Sequence, residues 1–336
     1  MKTYDNIFEK IISLENLFLA WDEFKKEKLR KADVIKFEFN LEQNIFSLHY
    51  KLKNKTYKHG IYTSFYINDP KQRHIHKASV KDRIIHHTVF LVLYPIFEKT
   101  FIYDSYSCRK NKGTHKGIDR LQNLLRKTSK NNRQNCFALK CDVRKFFQSV
   151  NHSILISIIE RKIQDKDALW LIKEIINSFS SGIPIGNLTS QLFANIYLNE
   201  LDQYVKHKLK IPFYLRYTDD FILISTSKVK LEFWLKEINN FLSKKLKLQL
   251  HPHKVILCRY HLGIDFLGYV QFPDYRLLRV KTKRRMLKKL KQGISEQSLQ
   301  SYLGVLSHAN HHELSEEIKN LFYLNSKIKK PPRSGI

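Results

Sequence analysis

Apolar residues early in the chain recur at helical spacing, as in Ile7-Phe-Glu-Lys-Ile-Ile-Ser-Leu-Glu-Asn-Leu-Phe-Leu-Ala-Trp21, so residues 1–60 read as helical. The period then shortens. Tyr62 to Ile67 is β-branched and aromatic, and Arg73-His-Ile-His alternates, so both predict strands. Helices are expected over Val80–Phe97, Ile118–Lys127, about Ser153–Ile163 and about Asp165–Phe179. Between the first two lies a basic loop, Ser105 to Gly117, and after them a surface loop, Lys127 to Arg133. Cys136 to Asp142 is a short apolar strand that ends on an acid. A Gly/Pro loop, Ser181 to Gln191, leads into a long amphipathic helix reaching about Leu209, with Leu188, Leu192, Ile196 and Leu201 on its apolar faces. Ile211 to Ser225 holds two apolar runs around Tyr217-Thr218-Asp219-Asp220, the pattern of a hairpin with acids at its tip. A helix over Val229–Lys245 follows, then an apolar segment, Gly263–Val270. The end is basic and helical, over Lys281–Lys291 and about Leu299–Leu324, with a basic tail from Lys327 to Ile336 expected to be disordered.

Composition narrows the class of partner. The 336 residues suffice for two or three subdomains around a sizeable core, and 43% are hydrophobic, as in globular chains. Sixty Lys and Arg against 31 Asp and Glu give a net charge of +29, spread along the sequence. Such a field suits a polyanion. The longest apolar run, Val89 to Phe97, is broken by Pro95 and is too short to span a bilayer, so no membrane is expected. The start lacks the apolar core of a signal peptide, and four scattered cysteines read as reduced thiols; both point to the cytoplasm. Nucleic acid is then the leading partner. Of the 10 glycines, Gly113, Gly117, Gly182, Gly186, Gly263 and Gly268 fall in candidate motifs.

The acids add chemistry to the charge. Asp219 and Asp220 stand side by side at a hairpin tip, and Asp142 ends another strand. An ordinary polar turn and a strand-end cap are the plain alternatives. Buried together, however, such carboxylates repel one another, and divalent cations relieve that. Nucleotidyl transfer uses two such ions. Cations flank the acids: Lys71, Arg73, Lys77, Lys81 and Arg83 lie upstream, and Arg109, Lys110 and Lys112 share a loop with two glycines that precedes a helix. These suit triphosphate or a nucleic-acid backbone.

The order of motifs resembles reverse transcriptases, the right-hand polymerases with fingers, palm and thumb. The Asp142 strand resembles the first palm motif, and Gly182–Gln191 the motif packing under the incoming nucleotide. Tyr217-Thr-Asp-Asp220 is similar to the Tyr-x-Asp-Asp box, His251-Pro-His-Lys254 to the lysine motif, and Phe266-Leu-Gly-Tyr269 to the primer grip. The resemblance covers roughly residues 60–275. It implies an α+β fold: an N-terminal extension and fingers over 1–135, a palm with an antiparallel sheet over 136–275, a helical insert at about 151–180, and a helical thumb over 276–326 before the basic tail, 327–336.

The resemblance also implies roles. Asp142, Asp219 and Asp220 would hold two Mg2+ ions, with Mn2+ as the alternative, helped by the Val143 carbonyl. Lys254 would neutralise departing pyrophosphate. Lys71, Arg73, Phe147, Ile185 and Gln191 would meet the dNTP, with Phe147 as the gate against a ribose 2′-hydroxyl. Lys81, Arg83, Arg109, Lys110, Lys112, Arg284, Arg285 and Lys288 would contact template RNA and the primer or cDNA. One departure is informative: Ile185 stands where many relatives carry Gln. Ile185-Gly-Asn-x-Thr-Ser-Gln191 resembles reverse transcriptases of diversity-generating retroelements. Those enzymes of bacteria, archaea and phages make adenine-mutagenised cDNA in mutagenic retrohoming, with a small basic accessory protein (Avd). A group II intron-like or defence-associated reverse transcriptase is the alternative, and an inactive RNA-binding protein a weaker one.

Overall fold

The computed structural model describes residues 2–69, 71–310 and 312–328, with only the backbone given for 325–328. The tail over 327–336 lies outside the described residues except for the helical backbone of 327 and 328. Helices α1 (Phe8–Ile12), α2 (Leu14–Lys25), α3 (Ala32–Phe39) and α4 (Leu41–Lys53) open the chain. Ser13 separates the first two and caps α2, its hydroxyl accepting from Asn16 N–H at 3.2 Å. Ile11, Leu17, Ala20, Trp21 and Ile45 turn inward. Next come an antiparallel hairpin, β1 (Thr63–Ile67) and β2 (Arg73–Lys77), and α5 (Val80–Glu98), the long buried helix on which α1 and α2 pack.

Helix α6 (Thr114–Thr128) begins four residues ahead of the expectation. Gly113, at φ 123°, makes the turn, whereas Gly117 lies inside the helix, where an added Cβ would stand 3.0 Å from Leu267. The second glycine therefore serves close packing. After β3 (Phe137–Asp142) come α7 (Phe146–Ser149), α8 (His152–Glu160), α9 (Lys166–Asn177) and α10 (Leu188–Gln203), the last continued by a π-helical turn, Tyr204–Lys208. Then follow β4 (Tyr214–Tyr217), β5 (Asp220–Ser225), α11 (Lys228–Leu246), β6 (Ile256–Arg259), β7 (Ile264–Phe266), β8 (Tyr269–Gln271) and β9 (Arg276–Leu278). The chain ends in α12 (Val280–Gln292), α13 (Glu296–Leu306) and α14 (His312–Ile328). The single helix expected over 299–324 is thus two. Between them Asn310 N–H donates to Arg276 O at 2.8 Å, and Asn310 Oδ1 accepts from Arg276 N–H, so the turn docks on β9.

The antiparallel sheet runs β4-β5-β3-β6, and β7-β8-β9 form a second. Strands β3, β4 and β5 are covered on both faces, which is why they are nearly continuous apolar runs, whereas β6 at the edge is only half-buried. Leu139, Cys141, Phe221, Leu223 and Tyr214 join one core with the N-terminal helices, α10 and α11. Ala138, Ile222, Ile224 and Leu215 join another with α6, β7, β8 and α12–α14. Mixed helix and sheet is therefore correct. Position 275 falls inside the second sheet, since β9 pairs with β8.

Candidate functional site

The register of the first sheet brings the three acids together. Asp142 lies directly opposite Asp220 across β3 and β5, and Tyr217 opposite Asp220 leaves Thr218 and Asp219 as a two-residue turn. Such a turn needs a left-handed residue, and here Thr218 supplies it at φ 52°. A β-branched side chain is strained there. The strain is held from outside: Thr218 Oγ1 donates to Ser107 Oγ at 2.5 Å, and Arg216 Nη1 donates to the Thr218 carbonyl at 3.0 Å.

Burial and crowding act on the acids. Burial first, then the charges of Asp220 and Asp142, push the Asp219 carboxyl up to about 6. Burial raises Asp220 too, with Asp142 adding to it, while Lys140 and Lys254 pull the other way. Lys254 Nζ stands 2.9 Å from Asp142 Oδ2. Its segment is fixed beside β3: His251 N–H donates to Asp142 O at 2.8 Å, and Lys254 N–H to His251 O at 3.0 Å. The Val143 amide donates to Asp219 O at 3.2 Å, so it too borders the acids.

The Gly/Pro loop joins this centre to the first hairpin. Gly182 has φ 70°, and a Cβ there would fall 2.3 Å from Phe147 O, so only glycine permits the approach. Beside it, Ile183 N–H donates to Phe147 O at 2.7 Å. Farther along, His76 N–H donates to Ile185 O at 3.0 Å, and Asn187 Nδ2 to His76 O at 2.9 Å. Continuous backbone contacts thus run from the strand of Arg73 through Ile185 to Phe147. Phe146 is buried, and half-buried Phe147 meets it edge-on at 5.5 Å. Lys71, Arg73 and Gln191 are exposed.

Several cations lie differently from the expectation. Arg109 is 6% exposed and faces inward, its guanidinium donating to Glu98, Ile102 O and Ser105 O. Arg83 pairs with Asp33 at 2.7 Å and lies over the Phe24 ring. Lys112 Nζ donates to Tyr103 O at 2.8 Å and sits over the Tyr103 ring. Each of these charges is engaged within the protein, which differs from the phosphate contact expected of it. Lys81, Lys110, Arg284 and Lys288 are exposed. Arg285 lies 3.7 Å from Asp69, and Lys289 also pairs with that acid.

Sequence reasoning missed Lys140, Arg216 and Asp202. Arg216 and Asp202 are wholly buried and paired at 2.6 Å. An arginine inside an apolar strand was the available signal.

Three carboxylates supply hard oxygen donors, and the repulsion that raises two of them is what a divalent cation relieves, so the residues fit such an ion in kind and charge. Among the described residues, no group of three or more His, Cys, Asp or Glu is arranged to hold a metal as the side chains stand. Also among these, no helix is long and apolar enough to cross a membrane.

Comparison with known proteins agrees with this geometry. The chain is 25% identical over 255 residues to Protein YkfC of Escherichia coli (strain K12), covering 63% of this chain and 65% of that protein. It is 25% identical over 320 residues to the group II intron-encoded protein LtrA of Lactococcus lactis subsp. cremoris, covering 73% and 51%. The putative COX1/OXI3 intron 2 protein of Saccharomyces cerevisiae matches at 22% over 256 residues, covering 56% and 29%. The chain thus spans from under a third to about two thirds of the length of these relatives. The family described as reverse transcriptase (RNA-dependent DNA polymerase) matches residues 53–271. With that match across the acids, the Gly/Pro loop and the first hairpin, the chain belongs to the reverse transcriptase family.

Proposed function

We propose that the chain is an RNA-directed DNA polymerase that copies template RNA into cDNA from dNTPs. The observation that carries it is the Asp142–Asp220 cross-strand pair with Asp219 on the adjoining turn. An apolar core has no use for such a trio, and an RNA-binding surface would be weakened by it. On this reading residues 1–135 contain the fingers, 136–275 the palm and 276–326 the thumb of a right hand.

Asp142, Asp219, Asp220 and the Val143 carbonyl would hold two Mg2+ ions. When bound, these ions would lower the pKa of the primer 3′-hydroxyl and neutralise charge on the leaving pyrophosphate. The protein's own groups do the rest. Exposed Lys71 and Arg73 grip the triphosphate. Half-buried Phe147 closes the space beside the sugar, favouring deoxynucleotides. Lys254, paired with Asp142 beside the acids, would neutralise the departing pyrophosphate and supply it a proton. Exposed Lys81, Lys110, Arg284 and Lys288, with Arg285, track template and primer.

We assign the chain to the diversity-generating retroelement type on Ile185-Gly-Asn-x-Thr-Ser-Gln191. Ile185 offers no side-chain hydrogen bond, so template reading there depends on shape, and discrimination is modest. A small basic accessory protein of the Avd kind is the expected partner. The second reading, a group II intron-type enzyme, is favoured by the similarity to LtrA. Sequencing of cDNA made on an RNA template with Mg2+ separates them. Changes concentrated at template adenines, reduced by Ile185→Gln, support the retroelement reading. Faithful product favours the intron type, and no product from folded protein removes the polymerase.

A further inference from the structure

The turn bearing Asp219 is strained, and a buried cation holds it. Arg216 on β4 is fully buried, as is its partner Asp202 on α10. Every guanidinium nitrogen is engaged. Nε and Nη2 form a fork on Asp202 at 2.8 and 2.6 Å. Nη2 also reaches Ser105 Oγ at 3.1 Å, while Nη1 reaches Asn195 Oδ1 at 3.3 Å and Thr218 O at 3.0 Å. Tyr214 OH donates to Asp202 Oδ1 at 2.8 Å, completing that carboxylate's shell. The Arg216 backbone is tied as well, receiving Tyr106 N–H and donating to Asp104 O, both at 2.9 Å.

Ion pairs of this kind gain little over well-packed apolar side chains, because desolvating two charges offsets their attraction. Stability alone therefore gives a weak account of Arg216. Its reach gives a better one. One planar group connects α10, the loop carrying Ser105 and Ser107, and the carbonyl of the one turn residue that a β-branched side chain strains. The next residue is Asp219.

We propose that Arg216 is a positioning residue: by fastening the Thr218 carbonyl to Asp202 and α10, it holds the left-handed turn that aims the Asp219 carboxylate. This rests on the polymerase reading above. A lysine would keep the positive charge for Asp202 but lacks the fork needed to hold Thr218 as well. Glycine at 218 would adopt φ near +50° without being held. Losing that hold should cost about tenfold or more in rate.

The test is steady-state dNTP incorporation on primed template RNA across a Mg2+ titration, with thermal unfolding alongside. Wild type, Asp219→Asn, Arg216→Lys and Arg216→Lys/Thr218→Gly are compared. The expected result is a lower kcat for Arg216→Lys, by about tenfold or more, a dNTP KM changed by less than about twofold, and a higher Mg2+ midpoint. Adding Thr218→Gly should restore most of the kcat and return the Mg2+ midpoint toward wild type, without restoring the unfolding temperature. A merely structural arginine would lower the unfolding temperature and leave the Mg2+ midpoint in place, and that outcome overturns the proposal. So does a kcat loss that Thr218→Gly does not relieve. Should Arg216→Lys fail to fold, Arg216→Gln/Asp202→Asn, which leaves no buried unpaired charge, takes its place with the same expectations. Incorporation abolished by Asp219→Asn but unaffected by Arg216→Lys overturns this assignment alone. Incorporation indifferent to Asp219→Asn overturns the polymerase reading and this assignment with it.

Discussion

Two hairpins carry candidate chemistry, and they are built in opposite ways. In β4–β5 most side chains are buried, and the turn is strained and pinned by Arg216 and Ser107. In β1–β2 every residue of the first strand is exposed. That second hairpin is held at one edge by the Ile185 loop and by His76 meeting Phe179 edge-on at 4.7 Å, while within it Tyr66 stacks on His74 at 4.4 Å. Groups that must present a fixed geometry to a reacting phosphate gain from a rigid, over-determined setting. Groups that admit and release a nucleotide at each step gain from a setting that opens at low cost. On the proposed function, the contrast would assign rate to one hairpin and affinity to the other.

The largest expected effect tests the rigid hairpin. Asp219→Asn should lower incorporation by on the order of 10^3-fold or more, as loss of a preorganised charge does. The same change should raise the thermal unfolding temperature, because it relieves repulsion among Asp142, Asp219 and Asp220. Lower activity with lower stability would show that the acids are structural, and the contrast would collapse.

At the open hairpin the expected pattern reverses. Arg73→Ala should raise the dNTP KM by about tenfold, the worth of one charge-assisted phosphate contact, with kcat little changed. The unfolding temperature should stay in place, because Arg73 is exposed. A fall in kcat instead would give this hairpin a part in the chemistry.

The root of the open hairpin should be sensitive to pH. Burial, and then the charges of His59, His87 and Arg83, lower the pKa of His86 to about 3. Its Nε2 meets His59 Nε2 at 3.1 Å. The folded state therefore keeps His86 neutral, while the unfolded chain takes up a proton below about 6.5. Between those values the unfolded state binds more protons, so stability falls as pH falls. At pH 5.5 the loss should be about 1 kcal/mol from this residue, and His86→Phe should flatten the profile in thermal unfolding. A profile unchanged by the substitution would remove His86 as the cause.

These expectations depend on residues that differ in how much of their setting local sequence reveals. Strands β3, β4 and β5 are legible because burial on both faces leaves apolar runs, and the acids interrupt them at the ends; half-buried β6 leaves no such run. Those carboxylates could be grouped before the register was known. Arg83, Arg109 and Lys112 were not legible, because a lysine or arginine has the same spelling whether it faces solvent or Glu98. In a chain of net charge +29, Arg216 stands apart from the other cations only by its place inside an apolar strand. Its partner Asp202 lies on a different element, and nothing in local periodicity joins the two. The split between α13 and α14 is not legible for a related reason, since Asn310 turns the chain there by bonding to Arg276 of β9.

The smallest effect concerns an ionic link from the open hairpin to α12. Asp69 pairs with Lys289 and lies 3.7 Å from Arg285, and all three side chains are open to solvent over roughly two fifths of their surface. Exposed pairs contribute little and are screened by salt. Asp69→Asn should therefore leave folding unchanged. Its effect on nucleic acid follows from what it frees: an acid no longer competes with phosphate for two cations, so template–primer should bind slightly tighter, by less than about threefold. The gain should appear at low salt and vanish as salt rises, because freed cations add to the counterions released on binding. Fluorescence anisotropy of a labelled RNA–DNA duplex across a salt series measures this. A larger, salt-insensitive change would mean that the tip and α12 move as one rigid unit. The open hairpin would then share the over-determined character of β4–β5, and assigning affinity to one and rate to the other would fail.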